Sequence, residues 1–194
     1  SLNYLKENQI RLFVRDMADG LKVESEGTEE EKDKILQTIR DLKTDYLVIS
    51  GSLNEGLPTD FYQKIAELAK SSGVKLIVDT SGEALLKILE TGVYLIKPNI
   101  GELAKLIGVE RLELNEVEMA AKNLIEKGNA KIVVVSLGAD GAILVTKDET
   151  HLVKAPKVEK KSTVGAGDSM VGGMVWALSQ NKTLKEVIQL GVCC

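Results

Sequence analysis

Residues 75–99, KLIVDTSGEALLKILETGVYLIKPN, hold two short apolar runs with one amphipathic stretch between them. Leu76, Ile77 and Val78 run into Asp79-Thr80-Ser81-Gly82, the pattern of a buried strand that opens into a tight loop. A short helix around Ala84–Leu89 should follow and end near Gly92. Val93–Ile96 then predicts a second buried strand, closed at Lys97-Pro98-Asn99 because a residue before proline avoids the helical region. Strand, helix and strand joined this tightly predict a right-handed crossover unit and a mainly parallel sheet. Asp79 has two readings: it ends a strand and could face a cleft, or it could cap the turn at Ser81-Gly82.

The rhythm extends both ways from this stretch. Tyr46–Ile49 is a buried strand stopped by Ser50-Gly51-Ser52. Pro58-Thr59-Asp60 starts a helix whose inner face carries Phe61, Ile65, Leu68 and Ala69, with Gly73 at its end. Earlier, Thr28 followed by Glu29, Glu30 and Glu31 is a capping box, and Ile35, Leu36, Ile39 and Leu42 recur on one helical face. That acidic run reads as a solvated helix start. Ile10, Leu12 and Val14 alternate as in a half-exposed strand.

On the C-terminal side, Asn115 with Glu118 should cap a helix through Val117, Ala121, Leu124 and Ile125. Ile132–Val135 is the most strand-like segment. An Asp-Gly pair, Asp140-Gly141, lies between Val133–Val135 and Ala142–Val145, so an antiparallel hairpin is expected there. Thr163–Gly173 is a glycine-rich loop opening a helix through Met174 and Leu178. The fold class these signals predict is α/β: a three-layer α/β/α sandwich with a mostly parallel central sheet, read as one domain over residues 1–194. In such sheets ligands bind beyond the carboxyl ends of the strands.

Composition narrows the partners. The 194 residues carry a formal charge of −4, with basic residues interspersed among acidic ones. That recommends neither nucleic acid nor an anionic membrane as a partner, and leaves a small molecule as the expected ligand. No apolar run has the length of a membrane span and the first residues lack a secretion-signal layout, so a cytoplasmic location is expected. Cys193 and Cys194 are adjacent and have no second pair with metal-ligand spacing, so they read as bystanders. Both ends read as interrupted elements.

The strongest chemical signal is Ser162-Thr163-Val164-Gly165-Ala166-Gly167-Asp168-Ser169. Two glycines around one alanine let the backbone turn tightly and present several N–H groups in one direction. The helix that starts there adds the positive end of its dipole, a combination that suits a phosphoryl group. Asp168 is then placed to accept a proton from a hydroxyl approaching that phosphoryl group. Its plainer reading is a helix cap. Neither G-x-x-x-x-G-K-[ST] nor a strand-linked G-x-G-x-x-G is present, which disfavours P-loop enzymes and dinucleotide dehydrogenases.

Asn99 and Glu102, three apart at a strand-to-helix junction, project from the same face of a first helical turn. They could hold a hydrated Mg2+, which prefers oxygen ligands and keeps several waters. A helix N-cap with an acidic third residue is the plainer account. His151, the only histidine, reads as a surface residue, and Trp176 as a core or interface residue.

These residues resemble a known family. Lys97-Pro98-Asn99-Ile100-Gly101-Glu102-Leu103, Val135–Gly141 and Ser162–Gly173 occur in the order and approximate spacing of the PfkB, or ribokinase-like, carbohydrate kinases. Ser50-Gly51-Ser52-Leu53 and Val78–Leu85 are most similar to the branch that phosphorylates phosphosugars: 6-phosphofructokinase of the minor type, 1-phosphofructokinase and tagatose-6-phosphate kinase. The resemblance runs from about Tyr46 onward.

The resemblance implies roles residue by residue. Asp168 would be the catalytic base, with Gly165, Ala166 and Gly167 as the anion hole. Asn99 and Glu102 would organise Mg2+ largely through water, and Lys97 would approach the nucleotide phosphates. Ser136, Gly138 and Gly141 would border the ATP, and Gly51 and Ser52 would touch the sugar phosphate. A monovalent-cation loop, for K+, would lie near Ser162 and Val164 through backbone oxygens.

The implied reaction is ATP-dependent phosphorylation of a sugar phosphate, fructose 6-phosphate first among the candidates, by an enzyme that is a homodimer at full length. Where many ribokinase-like enzymes have Asp-Thr-Thr before GAGD, this chain has Ser162-Thr163-Val164, the variant of the phosphosugar branch. The family's N-terminal sugar-binding motif, most of its β lid and its last segment have no counterpart among these residues. A non-catalytic nucleotide-binding or regulatory module is therefore an alternative expectation, and a nucleoside or vitamin kinase of the same superfamily a weaker one.

Overall fold

In the computed structural model the described residues are 10–11, 29–41, 43–51, 58, 60–156 and 165–194. The chain divides into two compact units, Ser1–Leu95 and Ile96–Cys194.

The first unit is a parallel α/β arrangement. It contains β1 (Ile10–Arg11), α1 (Glu29–Asp41), β2 (Tyr46–Ser50), α2 (Phe61–Ser71), β3 (Lys75–Asp79), α3 (Gly82–Thr91) and most of β4 (Val93–Ile96). β1 pairs parallel with β2, and β2 pairs parallel with β3 from Tyr46↔Lys75 to Ser50↔Asp79. Leu47, Val48, Ile77, Val78 and Leu95 are buried, as unbroken apolar runs in parallel strands require. α2 buries Phe61, Ile65, Ala66 and Ala69, and α3 buries Ala84, Leu85, Ile88 and Leu89. The two helices pack together, and Lys70 Nζ donates to the Thr91 carbonyl at 2.7 Å across their ends. Thr28, Leu12, Val14 and Leu42 lie outside the described residues.

The second unit begins parallel and ends antiparallel. It holds α4 (Ile100–Ile107), a 3-10 turn at Leu114–Glu116, α5 (Val117–Glu126), β5 (Ala130–Ser136), β6 (Ala142–Val145), β7 (Thr150–Val153), α6 (Ala166–Ser179) and α7 (Leu184–Cys193). Asn99 forms a parallel bridge with Ser136, whereas β5–β6 and β6–β7 are antiparallel. Val133, Val134, Val135, Leu144 and Val145 are wholly buried. α6 and α7 approach through glycine: a Cβ at Gly191 would meet Met174 Cγ at 2.6 Å, and one at Gly173 would meet Cys194 Sγ at 2.8 Å.

One helix start differs from expectation. Asn115 does not cap α5; it sits inside the 3-10 turn, whose capping box joins Glu113 and Glu116, and α5 begins at Val117. Glu118 instead spans to β7, accepting from Lys122 Nζ at 2.7 Å and from Thr150 Oγ1 at 2.9 Å. An acid shared by two nearer donors has no reason to fold back on Asn115.

The hairpin turns through five residues. Gly138–Asp140 form a 3-10 turn, Leu137 N–H donates to the Gly141 carbonyl at 2.8 Å, and Gly141 has φ 100°. A Cβ at Gly141 would collide with backbone atoms of Val153, Lys154 and Ala155, whereas one at Gly138 (φ 62°) would meet open space.

Two outcomes follow. Gly141→Ala, combining overpacking with backbone strain, should destabilise by about 2–4 kcal/mol. Gly138→Ala should cost only the left-handed penalty of about 1–2 kcal/mol. Denaturant titration separates them, and equal costs would contradict the close approach at Gly141. The second outcome concerns pH. Hydrogen bonds from Lys122 and Thr150 hold the Glu118 carboxyl below its ordinary value of 4.5. A depressed folded-state pKa gives stability that is present above the unfolded value and lost as pH falls through the folded one. Glu118→Gln should therefore lower the denaturation midpoint at pH 7, with the gap to the parent chain narrowing below pH 4.5.

Candidate functional site in the second unit

Beyond the last residue of β4, Ile96, the chain continues through Lys97 and Pro98, both buried, to the exposed Asn99. The Ser136 N–H donates to the Pro98 carbonyl at 2.9 Å. This bond and the Asn99–Ser136 bridge hold two sequence-predicted segments side by side, Lys97–Glu102 and Ser136–Gly141. Proline suits the position: lacking an N–H, it still offers a carbonyl to the neighbouring strand.

Asn99 and Glu102 form a complete capping box on α4. Glu102 N–H donates to Asn99 Oδ1, and Asn99 N–H to Glu102 Oε2, each at 2.9 Å. Gly101 sits inside this box, where an added Cβ would come within 3.4 Å of Asn99 Oδ1. The cap is thus the observed role of both side chains. It engages one oxygen of the carboxylate, leaving Glu102 Oε1 without a protein donor among the described residues.

No group of three or more His, Cys, Asp or Glu residues able to hold a metal occurs among the described residues. One amide oxygen and one carboxylate do not make a protein cage for an ion. They fit Mg2+ held through its own waters, the form in which that ion commonly binds.

The glycine-rich stretch is described from Gly165. Gly165 has φ 80° and occupies the N-cap of α6, with Ala166, Gly167 and Asp168 as the first three helical residues. The first intrahelical bond runs from Ser169 N–H to the Gly165 carbonyl at 2.9 Å. A helix leaves its first N–H groups without intrahelical acceptors, and here the cap residue is a glycine with no side chain to serve them. Asp168, exposed in that first turn, is therefore not the N-cap residue. Below it α6 buries Met170, Val171, Met174, Val175, Ala177 and Leu178, an anchor that fixes where the turn points.

Other predicted residues fall elsewhere. Ser52, Ser162 and Val164 lie outside the described residues. Gly51 belongs to the first unit, exposed, with φ 94°; its N–H donates to the Asp79 carbonyl at 3.0 Å. Asp79 is half-buried at the end of β3, and the N-cap of α3 is Ser81. Trp176 is 37% exposed on α6. His151 is partly buried on β7 and contacts Glu149. Two backbone contacts escaped sequence reading, one in each unit. The Pro98 carbonyl is invisible to side-chain motifs. Thr80, whose Oγ1 donates to the Gly51 carbonyl at 2.7 Å, was signalled only as a small polar residue after a strand.

Comparison with known proteins places this arrangement. Residues 15–194 match the model of the pfkB family carbohydrate kinases. The chain is 44% identical over 147 residues to the ATP-dependent 6-phosphofructokinase isozyme 2 of Escherichia coli, covering 75% of this chain and 48% of that protein. It is 36% identical over 189 residues to the 1-phosphofructokinase of Borreliella burgdorferi, covering 94% and 61%. It is 34% identical over 173 residues to a tagatose-6-phosphate kinase of Staphylococcus epidermidis, covering 88% and 55%.

Among solved structures, Escherichia coli phosphofructokinase-2 in complex with fructose-6-phosphate superimposes with a TM-score of 0.81 at 38% identity. That match covers 85% of this chain and 55% of the other. Arabidopsis thaliana ribokinase, at 22% identity and a TM-score of 0.69, shares the fold. The fold class is thus the expected α/β, ribokinase-like one, and the chain spans about half the length of the curated relatives it matches. No helix among the described residues is long and apolar enough to cross a membrane. The chain belongs to the pfkB family of carbohydrate kinases.

Proposed function

We propose that the protein carrying this chain transfers the γ-phosphoryl group of ATP to a hydroxyl of a sugar phosphate, with fructose 6-phosphate as substrate. The observation that carries this reading is Asp168, exposed in the first turn of a helix whose N-cap is the left-handed Gly165. The N–H groups of Ala166, Gly167 and Asp168 stabilise charge on the moving phosphoryl oxygens. Asp168 takes the proton of the acceptor hydroxyl as the new oxygen–phosphorus bond forms and the bond to ADP breaks. Catalysis is then mainly positioning and charge neutralisation.

Lys97, Ser136, Gly138 and Gly141 attend the nucleotide, and Gly51 and Ser52 the sugar phosphate. Asn99 and Glu102 would hold Mg2+ through water, and the ion would supply neutralisation of phosphate charge. A monovalent cation, K+, is assigned to the backbone near Ser162 and Val164. A solved structure of the Escherichia coli relative is described as a complex with potassium, and another as a tetrameric inhibited form. Self-association, at least to a homodimer, is accordingly assigned to the full-length protein, and its compartment to the cytoplasm.

A second reading has its own support. The chain spans about half of its relatives, and every residue assigned to the nucleotide lies in Ile96–Cys194. By itself it would then be a nucleotide-binding module without turnover. Calorimetry with Mg-ATP and with fructose 6-phosphate decides between the two: a binding-only module releases heat with nucleotide alone, whereas a competent kinase responds to both.

For the catalytic role, Asp168→Asn keeps the shape and removes the base. In the full-length protein we expect kcat to fall by about 10²-fold or more with nucleotide affinity kept. A loss under about tenfold would remove Asp168 from the role of base.

A further inference from the structure

Lys75 is the first residue of β3, and in the sheet β3 lies between β2 and β4. Tyr46 opens β2 and is paired in register with Lys75, and Tyr94 is the second residue of β4. The Lys75 ammonium sits 5.0 Å from the centre of the Tyr46 ring and 5.3 Å from that of Tyr94. The two rings meet edge to face, with centroids 6.0 Å apart and planes at 65°. β2 and β4 are not neighbours in the sheet, so this contact between them is made by side chains reaching across β3.

An exposed lysine gains little by holding one rotamer, because ordering a long side chain costs freedom and a surface charge is already well solvated. Here one ammonium lies within the range of cation–π attraction of two rings at once, and the rings keep an orientation that aromatic pairs favour. The bond from Lys75 Nζ to Tyr46 Oη is long, at 3.4 Å, so the ring faces carry most of the attraction. Burial alone would lower the Lys75 pKa. The bond to Tyr46 and the field of Tyr46, Tyr94 and Asp45 outweigh it and hold the amine above its ordinary 10.5. A raised folded-state pKa gives stability that is present below the unfolded value and lost as pH rises through the folded one, so the charge is in place at neutral pH.

We infer that Lys75 is a cationic clasp that fastens β2, β3 and β4 to one another at their amino ends. Those ends lie opposite the carboxyl ends at Ser50 and Asp79, so the clasp stiffens the sheet without reaching the loops that follow it. Three strands that meet from distant parts of the sequence thus depend on a single charge.

The test uses Lys75→Met, which keeps the apolar stem and removes the charge, Lys75→Arg, which keeps the charge, and Tyr94→Leu, which removes the half-buried ring. Tyr46 stays in place, because it is 6% exposed and its truncation would open a cavity. Denaturant unfolding of Lys75→Met, Tyr94→Leu and their combination measures the coupling between charge and ring. Hydrogen exchange at the amides of Leu47, Ile77 and Leu95 reports on β2, β3 and β4 separately. Proton NMR of the unmutated protein reports the Lys75 methylenes.

The unfolding equilibrium constant of the double variant should fall short of the product of the single effects by about two- to fivefold. Lys75→Met should speed exchange at Leu47 and Leu95 as well as at Ile77, by a similar factor, and Lys75→Arg should restore most of the loss. The Lys75 methylene protons should resonate upfield of those of a solvated lysine, since they lie over ring faces, and Tyr94→Leu should weaken that displacement. Single effects that simply multiply overturn the clasp, as does a Lys75→Arg protein no more stable than Lys75→Met. Faster exchange confined to Ile77 overturns the tie to the flanking strands. Methylene resonances at the solvated position overturn it without any variant having to fold.

Discussion

The hydrogen bond from Ser136 N–H to the Pro98 carbonyl sets the layout of the second unit. Pro98 is buried, and a buried carbonyl that loses its donor costs about as much as a lost hydrogen bond. The bond therefore fixes the relation between two departures of the chain. One leaves Asn99 to enter α4; the other leaves Ser136 to enter the 3-10 turn at Gly138–Asp140. Moving either would break the bond to the carbonyl of a buried residue. The segments carrying Asn99 and Ser136 are thus held side by side through their backbones.

The capping box at Asn99 and Glu102 does not exclude the Mg2+ role proposed for them. Two mutual bonds of 2.9 Å use Asn99 Oδ1 and Glu102 Oε2 and hold both side chains in one rotamer. The second carboxylate oxygen keeps its lone pairs. A carboxylate already fixed would lose little side-chain freedom on holding hydrated Mg2+, and side-chain ordering is a large part of what binding costs. Gly101 belongs to the same device, because a methyl there would press on the Asn99 carbonyl oxygen.

Much of this could be read from residue order, and the exceptions have physical causes. Tyr46–Ser50, Lys75–Asp79, Val93–Ile96 and Ala130–Ser136 are strands where unbroken apolar runs predict them, because a strand covered on both faces carries no polar alternation to confuse the pattern. The antiparallel turn at Asp140-Gly141 was legible from its chemistry, although the reason Gly141 must be glycine was not. That reason is the backbone of residues 153–155, a dozen positions away. Asn115 misled because a cap is recognised by spacing alone. Glu113 and Glu116 satisfied the same spacing two residues earlier, and Thr150 drew Glu118 away. The Thr80–Gly51 and Ser136–Pro98 bonds were hidden for a common cause: each ends on a backbone carbonyl, which every residue has and no motif displays.

The residues read as phosphate-side and those read as sugar-side are fixed by different means, and the difference suits their tasks. At the end proposed for phosphate, the left-handed Gly165 caps α6, and six buried residues of that helix anchor it. A charge that migrates in a reaction is best met by dipoles that do not reorient, so deep anchoring is the fitting support. On the sugar side, Gly51 is held by two hydrogen bonds and by little bulk, since Gly51 itself is exposed and carries no side chain to bury. Such a support fixes direction and still yields at modest cost. The buried face of α6 is therefore the less forgiving of the two supports to substitution.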